Sequence, residues 1–353
     1  MRTVGAGRTR GPRHPRPLLA IAAAGLVLAG CGTEVGTPPD GSPTPTTVTA
    51  TPSASPTLVP FGTPWPSGRL FFTHTTSGDV QTALVADAGG QRALTAPGEV
   101  CCVLRKSPTR EQLLVLPSTD FSPPLTGATL GTDGGDLTPL PRTDPTLNLV
   151  PSAWSPDGTR IAFEGWVDGE PSRTGIYTAR VSDGADLVRV TNQPGRFHDV
   201  PLDYSPDGKR LVLYRSTHPD PDPYTDGSLW VVNVDGTEPH RITTGRAPPT
   251  VWARWSPDGS RIVFAAERLA DRGPLWTVKP DGSDLVTVFE DSDGFVIAPD
   301  WSPDGTRIVF GLDPSNDEFT HPPNRIYLID ATGKNLELVD DSPYFKRQFD
   351  WVG

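Results

Sequence analysis

The chain has 353 residues, of which 35% are hydrophobic and 8% aromatic, with 41 Pro and 36 Gly. Its formal net charge is −11 at pH 7, and residues 1–30 hold five Arg and no acid, so the remainder carries −16. A nucleic-acid-binding protein needs a clustered basic surface. The acidic balance therefore excludes nucleic acid as an expected partner.

The N-terminus has the pattern of a secretory signal. Residues 2–16 are basic, and residues 18–28 form an apolar run that is short for a membrane span. The run ends in Leu28-Ala29-Gly30-Cys31, which resembles a bacterial lipoprotein box. We predict a signal peptide over residues 1–30 and a lipid on Cys31, which would anchor the protein at the extracytoplasmic face of the cell membrane. The alternative is a simple cleaved signal.

A Pro-rich segment follows. Residues 32–67 contain nine Pro among Thr, Ser and Gly, with almost no large apolar residue before Leu58. Such a chain cannot form a core and is extended and semi-rigid. We therefore predict a tether over residues 31–67 that separates a folded domain from the membrane. A glycosylated stalk has a similar composition.

Four near-identical tetrapeptides then recur at intervals of about fifty residues. They are Ser155-Pro156-Asp157-Gly158, Ser205-Pro206-Asp207-Gly208, Ser256-Pro257-Asp258-Gly259 and Ser302-Pro303-Asp304-Gly305. An aromatic residue precedes each one, and a basic residue with a short apolar run follows. Pro and Asp suit the centre of a type I turn, and Gly suits the positive-φ position that closes a bulged hairpin. A second Gly-containing turn follows about 25 residues later, so each unit should contain four strands.

Two degenerate units complete the array. One degenerate copy of the motif begins at Ser107, where Lys106 stands in place of the preceding aromatic residue. Residues 69–72 match the apolar second strand of a unit, but no matching first strand precedes them. Residues 348–351 are a first strand whose unit is missing. Four-stranded units of this length are typical of propeller blades. We predict an all-β fold over residues 68–353: a six-bladed β-propeller, closed by pairing of the N- and C-terminal strands in one blade.

The aromatic-Ser-Pro-Asp-Gly-x-basic-apolar motif resembles the TolB-like six-bladed propeller repeat, and the resemblance covers about residues 68–353. It implies the fold. It does not imply an activity, because similar repeats occur in propellers of serine peptidases and in some polysaccharide lyases. The extra N-terminal α/β domain of periplasmic TolB has no counterpart here, so the resemblance does not imply a role in that translocation system.

The loops between second and third strands, together with the crossings between blades, are long and should share one rim, which we call the long-loop rim. Binding usually occurs on such loops. The candidates for contact with a partner are Trp166, Asp168, Asp222, Tyr224, Tyr344 and Phe345. His198 and His218 should lie in neighbouring loops, which makes them the metal candidates. A solvated acidic surface is the simpler interpretation of the same residues.

The residue before each aromatic is charged in five of six units. These residues are Arg105, Ala153, Asp203, Arg254, Asp300 and Asp350. Because they fall on the innermost strands, we expect ion pairs between blades around the axial channel. A channel that binds a solute is the alternative.

Cys101 and Cys102 are adjacent in the first strand of a blade. Neighbouring strand residues point to opposite faces, which favours two separate buried thiols. A vicinal disulfide is the alternative in an oxidising compartment.

No Gly-x-Ser-x-Gly, His-Glu-x-x-His, Cys-x-x-Cys or phosphate-loop motif is present, and no cofactor is predicted. We expect an anchored module that binds or scaffolds an envelope protein or glycan. The alternative is a carbohydrate-active enzyme, similar to a polysaccharide lyase, that uses the long-loop rim.

Overall fold

The computed structural model describes residues 65–75, 80–117, 124–192, 198–216, 227–243, 249–266, 273–291, 294–314 and 323–353. These residues form six antiparallel sheets of four strands each. No helix within these ranges has the length and apolarity to cross a membrane.

Each sheet is one blade. Blade 1 contains β1 (Arg69–Thr75), β2 (Gln81–Asp87), β3 (Gly90–Ala93) and, from the other chain end, β24 (Phe345–Val352). Blade 2 contains β4 (Val100–Lys106), β5 (Gln112–Pro117), β6 (Ala128–Gly131) and β7 (Thr138–Pro139). Blade 3 contains β8 (Asn148–Trp154), β9 (Arg160–Trp166), a short 3-10 helix (Pro171–Arg173), β10 (Gly175–Arg180) and β11 (Val188–Arg189).

The second half of the ring repeats this plan. Blade 4 contains β12 (His198–Tyr204), β13 (Arg210–Ser216), β14 (Ser228–Asn233) and β15 (His240–Arg241). Blade 5 contains β16 (Pro249–Trp255), β17 (Ile262–Ala266), β18 (Leu275–Val278) and β19 (Val286–Phe289). Blade 6 contains β20 (Phe295–Trp301), β21 (Arg307–Asp313), β22 (Arg325–Asp330) and β23 (Glu337–Asp340).

The two chain ends close the ring as the repeat pattern predicts. In blade 1, β24 pairs with β1 in a register that places Leu70 opposite Trp351. The Trp351 indole N–H also donates to the Ser67 carbonyl at 2.8 Å, and the Trp65 ring meets the Trp351 ring edge-on at 5.1 Å. The packed region therefore includes Trp65, within the segment assigned above to the tether. Closure of this kind removes free sheet edges from the ring.

The core lies between the blades. The first strand of each blade contacts the first strands of both neighbours, which places it next to the axis. Among the described residues, seven hydrophobic clusters each join two adjacent blades; for example, Tyr214 of blade 4 packs in one cluster with Trp255 and Phe264 of blade 5. A blade has no core of its own, so the ring should unfold as a unit.

The Ser-Pro-Asp-Gly turns have the expected geometry. In blade 5, the Ser256 hydroxyl donates to Asp258 Oδ1 at 2.6 Å and accepts the Arg261 N–H at 2.9 Å. Asp258 Oδ1 also accepts the Ser260 N–H at 3.0 Å, and Gly259 has φ +71°. The motif is therefore a self-contained hydrogen-bonded turn between the first and second strands.

Two placements differ from the sequence-based expectation. Strand β9 extends through Trp166, and strand β24 begins at Phe345, so both residues belong to strands and not to loops. Cys101 and Cys102 form a disulfide, whereas strand alternation favoured separate thiols. The strand pairing shifts register on both sides of Cys102. This irregularity breaks the alternation on which the expectation depended.

Candidate functional site: the long-loop rim and the axial ring

Trp166 is a half-buried aromatic at the end of β9 on the long-loop rim. Its indole N–H donates to Asp168 Oδ1 at 3.2 Å. The side chain packs against the cluster that contains the Cys101–Cys102 disulfide and Leu116. The Trp166 indole is thus held by a hydrogen bond on one side and by the core on the other, while the Asp168 side chain is exposed. An aromatic side chain fixed in this way loses little entropy when it binds.

Tyr344 and Phe345 have different environments. Phe345 is 6% exposed and belongs to the core, so it is not available as an anchor. Tyr344 is half-buried, and its ring lies 4.6 Å from the ring of His74. Beside this pair, Lys346 is buried and donates to the carbonyls of Asn324 and Ser342 at 2.8 and 3.1 Å.

The remaining predicted contact residues, Asp222 and Tyr224, lie outside the described residues, as do the metal candidate His218 and Cys31. The rim assignment of those loop residues stays a prediction.

His198 is the first residue of β12, and its Nε2 hydrogen-bonds with Oε1 of Glu164 from blade 3. Burial alone would lower the pKa of His198, but the Glu164 carboxylate, with Asp199 adding to it, raises that pKa above 6.5. His198 Nδ1 and Glu164 Oε2 are buried and have no hydrogen-bond partner within the described ranges. The part of the chain that is described contains no group of three or more potential metal ligands.

A second charged pair joins β12 to the neighbouring strand β13 of the same blade. Arg215 donates from Nε and Nη2 to the two carboxylate oxygens of Asp199, at 2.6 and 2.7 Å, and both side chains are buried. The Arg215 guanidinium also lies 4.7 Å from the centre of the Trp230 ring. Bidentate geometry gives such a pair directional strength. The repeat pattern gives no signal for this pair, since neither position is shared between units.

The residues before the aromatics form what we call the axial ring: Arg105, Ala153, Asp203, Arg254, Asp300 and Asp350. The three acids share one contact, in which the carboxylate accepts a backbone N–H from the first strand of the next blade. The pairs are Asp203 with Trp255 at 3.0 Å, Asp300 with Trp351 at 2.7 Å and Asp350 with Lys106 at 2.6 Å.

The expected ion pairing between blades is present at one junction, where Arg105 lies 3.9 Å from Asp350. The other arginine of the ring, Arg254, donates instead to the carbonyls of Leu202 and Ala253, at 2.9 and 2.8 Å. The axial ring is therefore held by charge-assisted contacts with the backbone as well as by the Arg105–Asp350 ion pair.

Burial strongly affects the acids of the axial ring. It raises the pKa of Asp203 to about 7 and, together with the nearby Asp350 carboxylate, raises the pKa of Asp300 to about 8. Burial also raises the pKa of Asp350, against the opposing charge of Arg105. Asp203 and Asp300 thus bind protons near neutral pH.

No protein-family model matches the chain. A TolB homologue from Chlorobium luteolum is 27% identical over 139 residues, which are 39% of this chain and 28% of the homologue. The match therefore spans less than a third of that relative's length.

Solved structures support the same fold. TolB from Acinetobacter baumannii superposes with a TM-score of 0.62 at 15% identity, covering 81% of this chain and 66% of TolB. A candidate TolB from Agrobacterium tumefaciens gives 0.58 at 20% identity, covering 79% of this chain and 91% of that chain. The chain has a TolB-like six-bladed propeller.

Proposed function

We propose that this protein is an extracytoplasmic lipoprotein, anchored by a lipid on Cys31, whose propeller binds a protein of the cell envelope through the long-loop rim. The similarity to TolB proteins supports an envelope location. The observation that carries the binding role is the fixed, half-buried Trp166 beside the exposed Asp168.

The rim combines a rigid support with an aromatic anchor. Trp166 packs on a hydrophobic cluster formed by blades 2 and 3. The propeller that supports this cluster is closed by pairing of β24 with β1. Trp is enriched among the residues that dominate binding energy at protein interfaces. Asp168 and Glu170 are exposed beside it, so a complementary surface would be basic. The partner we propose is thus a protein with an apolar pocket edged by Lys or Arg.

The anchor is tested by Cys31→Ala. We expect the variant to leave the membrane fraction and the detergent phase, because the lipid supplies the buried methylene groups that hold the protein at the bilayer. Wild-type partitioning of the variant would contradict lipidation at Cys31.

The binding surface is tested in cells with a photo-crosslinking amino acid placed at Asp168 or, as a control on the opposite rim, at Glu238, an exposed residue in the turn after β14. We expect one dominant crosslinked protein from position 168. That protein should be absent from the products crosslinked from position 238. Trp166→Ala should remove that product. Because Trp166 packs on the core, a melting curve must show that the variant is folded.

Two results would contradict the proposal: equal crosslinking from both rims, or an unchanged product in folded Trp166→Ala. Turnover of a polyuronate by the purified protein would support the carbohydrate-active alternative instead.

A further inference from the structure

The Cys101–Cys102 disulfide joins two adjacent residues near the start of β4, in blade 2. In the chain-entropy account, a disulfide stabilises a protein by closing a loop in the unfolded chain, and the gain grows with the length of that loop. This bond closes a loop with no residue between the two cysteines. Loop closure therefore does not explain why the pair is linked.

The pair lies at a β-bulge. Val100 is opposite Pro117 and Cys102 is opposite Leu116, so Cys101 is an extra residue in β4. A second register shift follows Cys102. Within the described residues, the first strands of the other five blades each show a single shift. The ladder between β4 and β5 is thus disrupted on both sides of Cys102.

Both cysteine side chains pack in one hydrophobic cluster, together with Leu116 of the same blade and Val150 of blade 3. In a regular strand, adjacent side chains point to opposite faces, so one of the two would leave this cluster. The bond between the sulfur atoms keeps both side chains together and so maintains the bulged arrangement. Breaking the bond removes that constraint, and the alternating arrangement becomes available to this segment.

Trp166 of blade 3 packs against the same cluster. Its other side is held by the hydrogen bond to Asp168 Oδ1, at 3.2 Å. The core side of the indole therefore contacts the cluster whose arrangement depends on the disulfide. Because protein interiors are closely packed, moving one cysteine side chain out of the cluster changes the support of the indole.

We propose that the Cys101–Cys102 pair is a redox switch that sets the position of Trp166. The disulfide form holds the indole in the pose described above, and the dithiol form releases it. Oxidation thus favours binding of a protein partner through Trp166, and reduction weakens it. This regulatory step rests on the proposed function, whereas the effect on Trp166 itself does not.

The switching reaction is thiol–disulfide exchange with a protein that carries two thiols. A thiolate of that protein attacks the Cys101 sulfur, the bond between the cysteines breaks, and Cys102 leaves as a thiolate. The second thiolate of the reductant then displaces Cys101 and forms the reductant's own disulfide. Two electrons and two protons pass to the cysteines. Cys101 is 8% exposed and Cys102 is fully buried, so the exchange requires local opening at the disrupted part of β4.

The first test measures whether the folded protein can be reduced. Full-length Cys31→Ala protein is incubated with excess dithiothreitol, and thiols are counted by mass after alkylation. The rate of global unfolding is obtained from denaturant-jump kinetics. We expect reduction to be at least about tenfold faster than global unfolding, because the opening is local. Reduction at the rate of global unfolding would show a purely structural disulfide and would overturn the proposal.

The second test measures the exposure of Trp166 by acrylamide quenching of tryptophan fluorescence. Oxidised, reduced and Cys101→Ser/Cys102→Ser proteins are compared, each with and without Trp166→Phe, so that the difference reports Trp166. We expect a several-fold rise in quenching of Trp166 in the reduced and serine forms. Reductant should have no further effect on the serine form, which controls for changes elsewhere. Equal quenching of the oxidised and reduced forms would overturn the proposal.

The regulatory step is tested in cells with the photo-crosslinking amino acid at Asp168. We expect the yield of the crosslinked product to fall several-fold in Cys101→Ser/Cys102→Ser, and a melting curve must show that this variant is folded. An equal yield from the wild type and the folded variant would overturn the regulation. Absence of a product from both would contradict the proposed function instead, and the quenching comparison would still decide the switch.

Discussion

The carboxylate of Asp300 accepts a hydrogen bond from the backbone N–H of Trp351, at 2.7 Å, across the junction between blades 6 and 1. Trp351 belongs to the strand that closes the ring, so this contact holds the composite blade to its neighbour. Two other junctions of the axial ring have the same contact. Asp300 is buried near the axis and Asp203 and Asp350 are half-buried there, and the loss of hydration raises the pKa of each one.

We expect Asp300→Asn to raise the melting temperature at pH 8 and to flatten its dependence on pH. The amide oxygen can still accept the Trp351 N–H, but the buried carboxylate charge at position 300 is removed. The folded protein holds the Asp300 proton at a pKa of about 8, against a usual value of 3.8. Wild-type stability from this group is therefore complete below about pH 4 and declines as the pH rises to about 8.

Each kcal/mol corresponds to about 2–4 °C in a domain of this size, so a difference should be resolved by calorimetry between pH 5 and pH 8. Asp304→Asn serves as the control, because that carboxyl lies in an exposed turn and its hydrogen bonds lower its pKa to about 2. A pH slope in Asp300→Asn equal to that of the wild type would show that Asp300 ionises normally in the folded state.

Removal of residues 347–353 should destabilise the whole ring. Trp351 is 5% exposed and contacts both Trp65 and Ser67, and loss of such a side chain alone is worth about 3–5 kcal/mol. The truncation also leaves β1 without its inner neighbour. A synthetic peptide of residues 343–353 should restore the melting temperature, whereas a scrambled peptide should not. An unchanged transition after truncation would contradict closure by β24.

The fold could be predicted from sequence because the repeat places identical chemistry at each turn. The same regularity made closure visible, since residues 348–351 match the first strand of the other units. The sites were less predictable. The sequence placed Trp166 in a loop, because the alternation of apolar residues does not show how far a strand continues. The Arg215–Asp199 ion pair could not be predicted, because neither residue occupies a position that the repeat shares. The Cys101–Cys102 disulfide depends on a local register shift.

Asp258→Ala should lower stability by about 1 kcal/mol, because Oδ1 of Asp258 accepts hydrogen bonds from Ser256 and from both the N–H and the hydroxyl of Ser260. Asp258→Asn keeps an acceptor at that position and should lose less. The hydrogen bond from Ser256 is the main cause that lowers the pKa of Asp258. Its contribution is thus present above about pH 4 and is lost as the pH falls further. Equal melting temperatures for Ala and Asn would contradict this role.

The Cys101–Cys102 disulfide predicts how many free thiols the protein carries before and after reduction. Intact-mass analysis of Cys31→Ala protein, alkylated after denaturation without reductant, should show no label, and reduction should expose two thiols on Cys101 and Cys102. Because Trp166 packs against this pair, reduction of the folded protein should also change tryptophan fluorescence. Trp166→Phe provides the control, since it should remove that change. Two labelled cysteines before reduction would restore the expectation of separate thiols.

Glu164→Gln should lower the pKa of His198, which can be measured by NMR titration of the imidazole signals. In the wild type, Glu164 holds this pKa above 6.5 even though burial opposes it. Without the carboxylate charge, burial dominates and the neutral imidazole is favoured. The raised pKa contributes stability that is complete below pH 6.5 and lost as the pH rises through the folded-state value, so the variant should lose stability mainly on the acid side. Glu170→Gln, an exposed rim acid, should leave His198 unchanged. A His198 pKa that does not move in Glu164→Gln would show that the pair is not charged in solution.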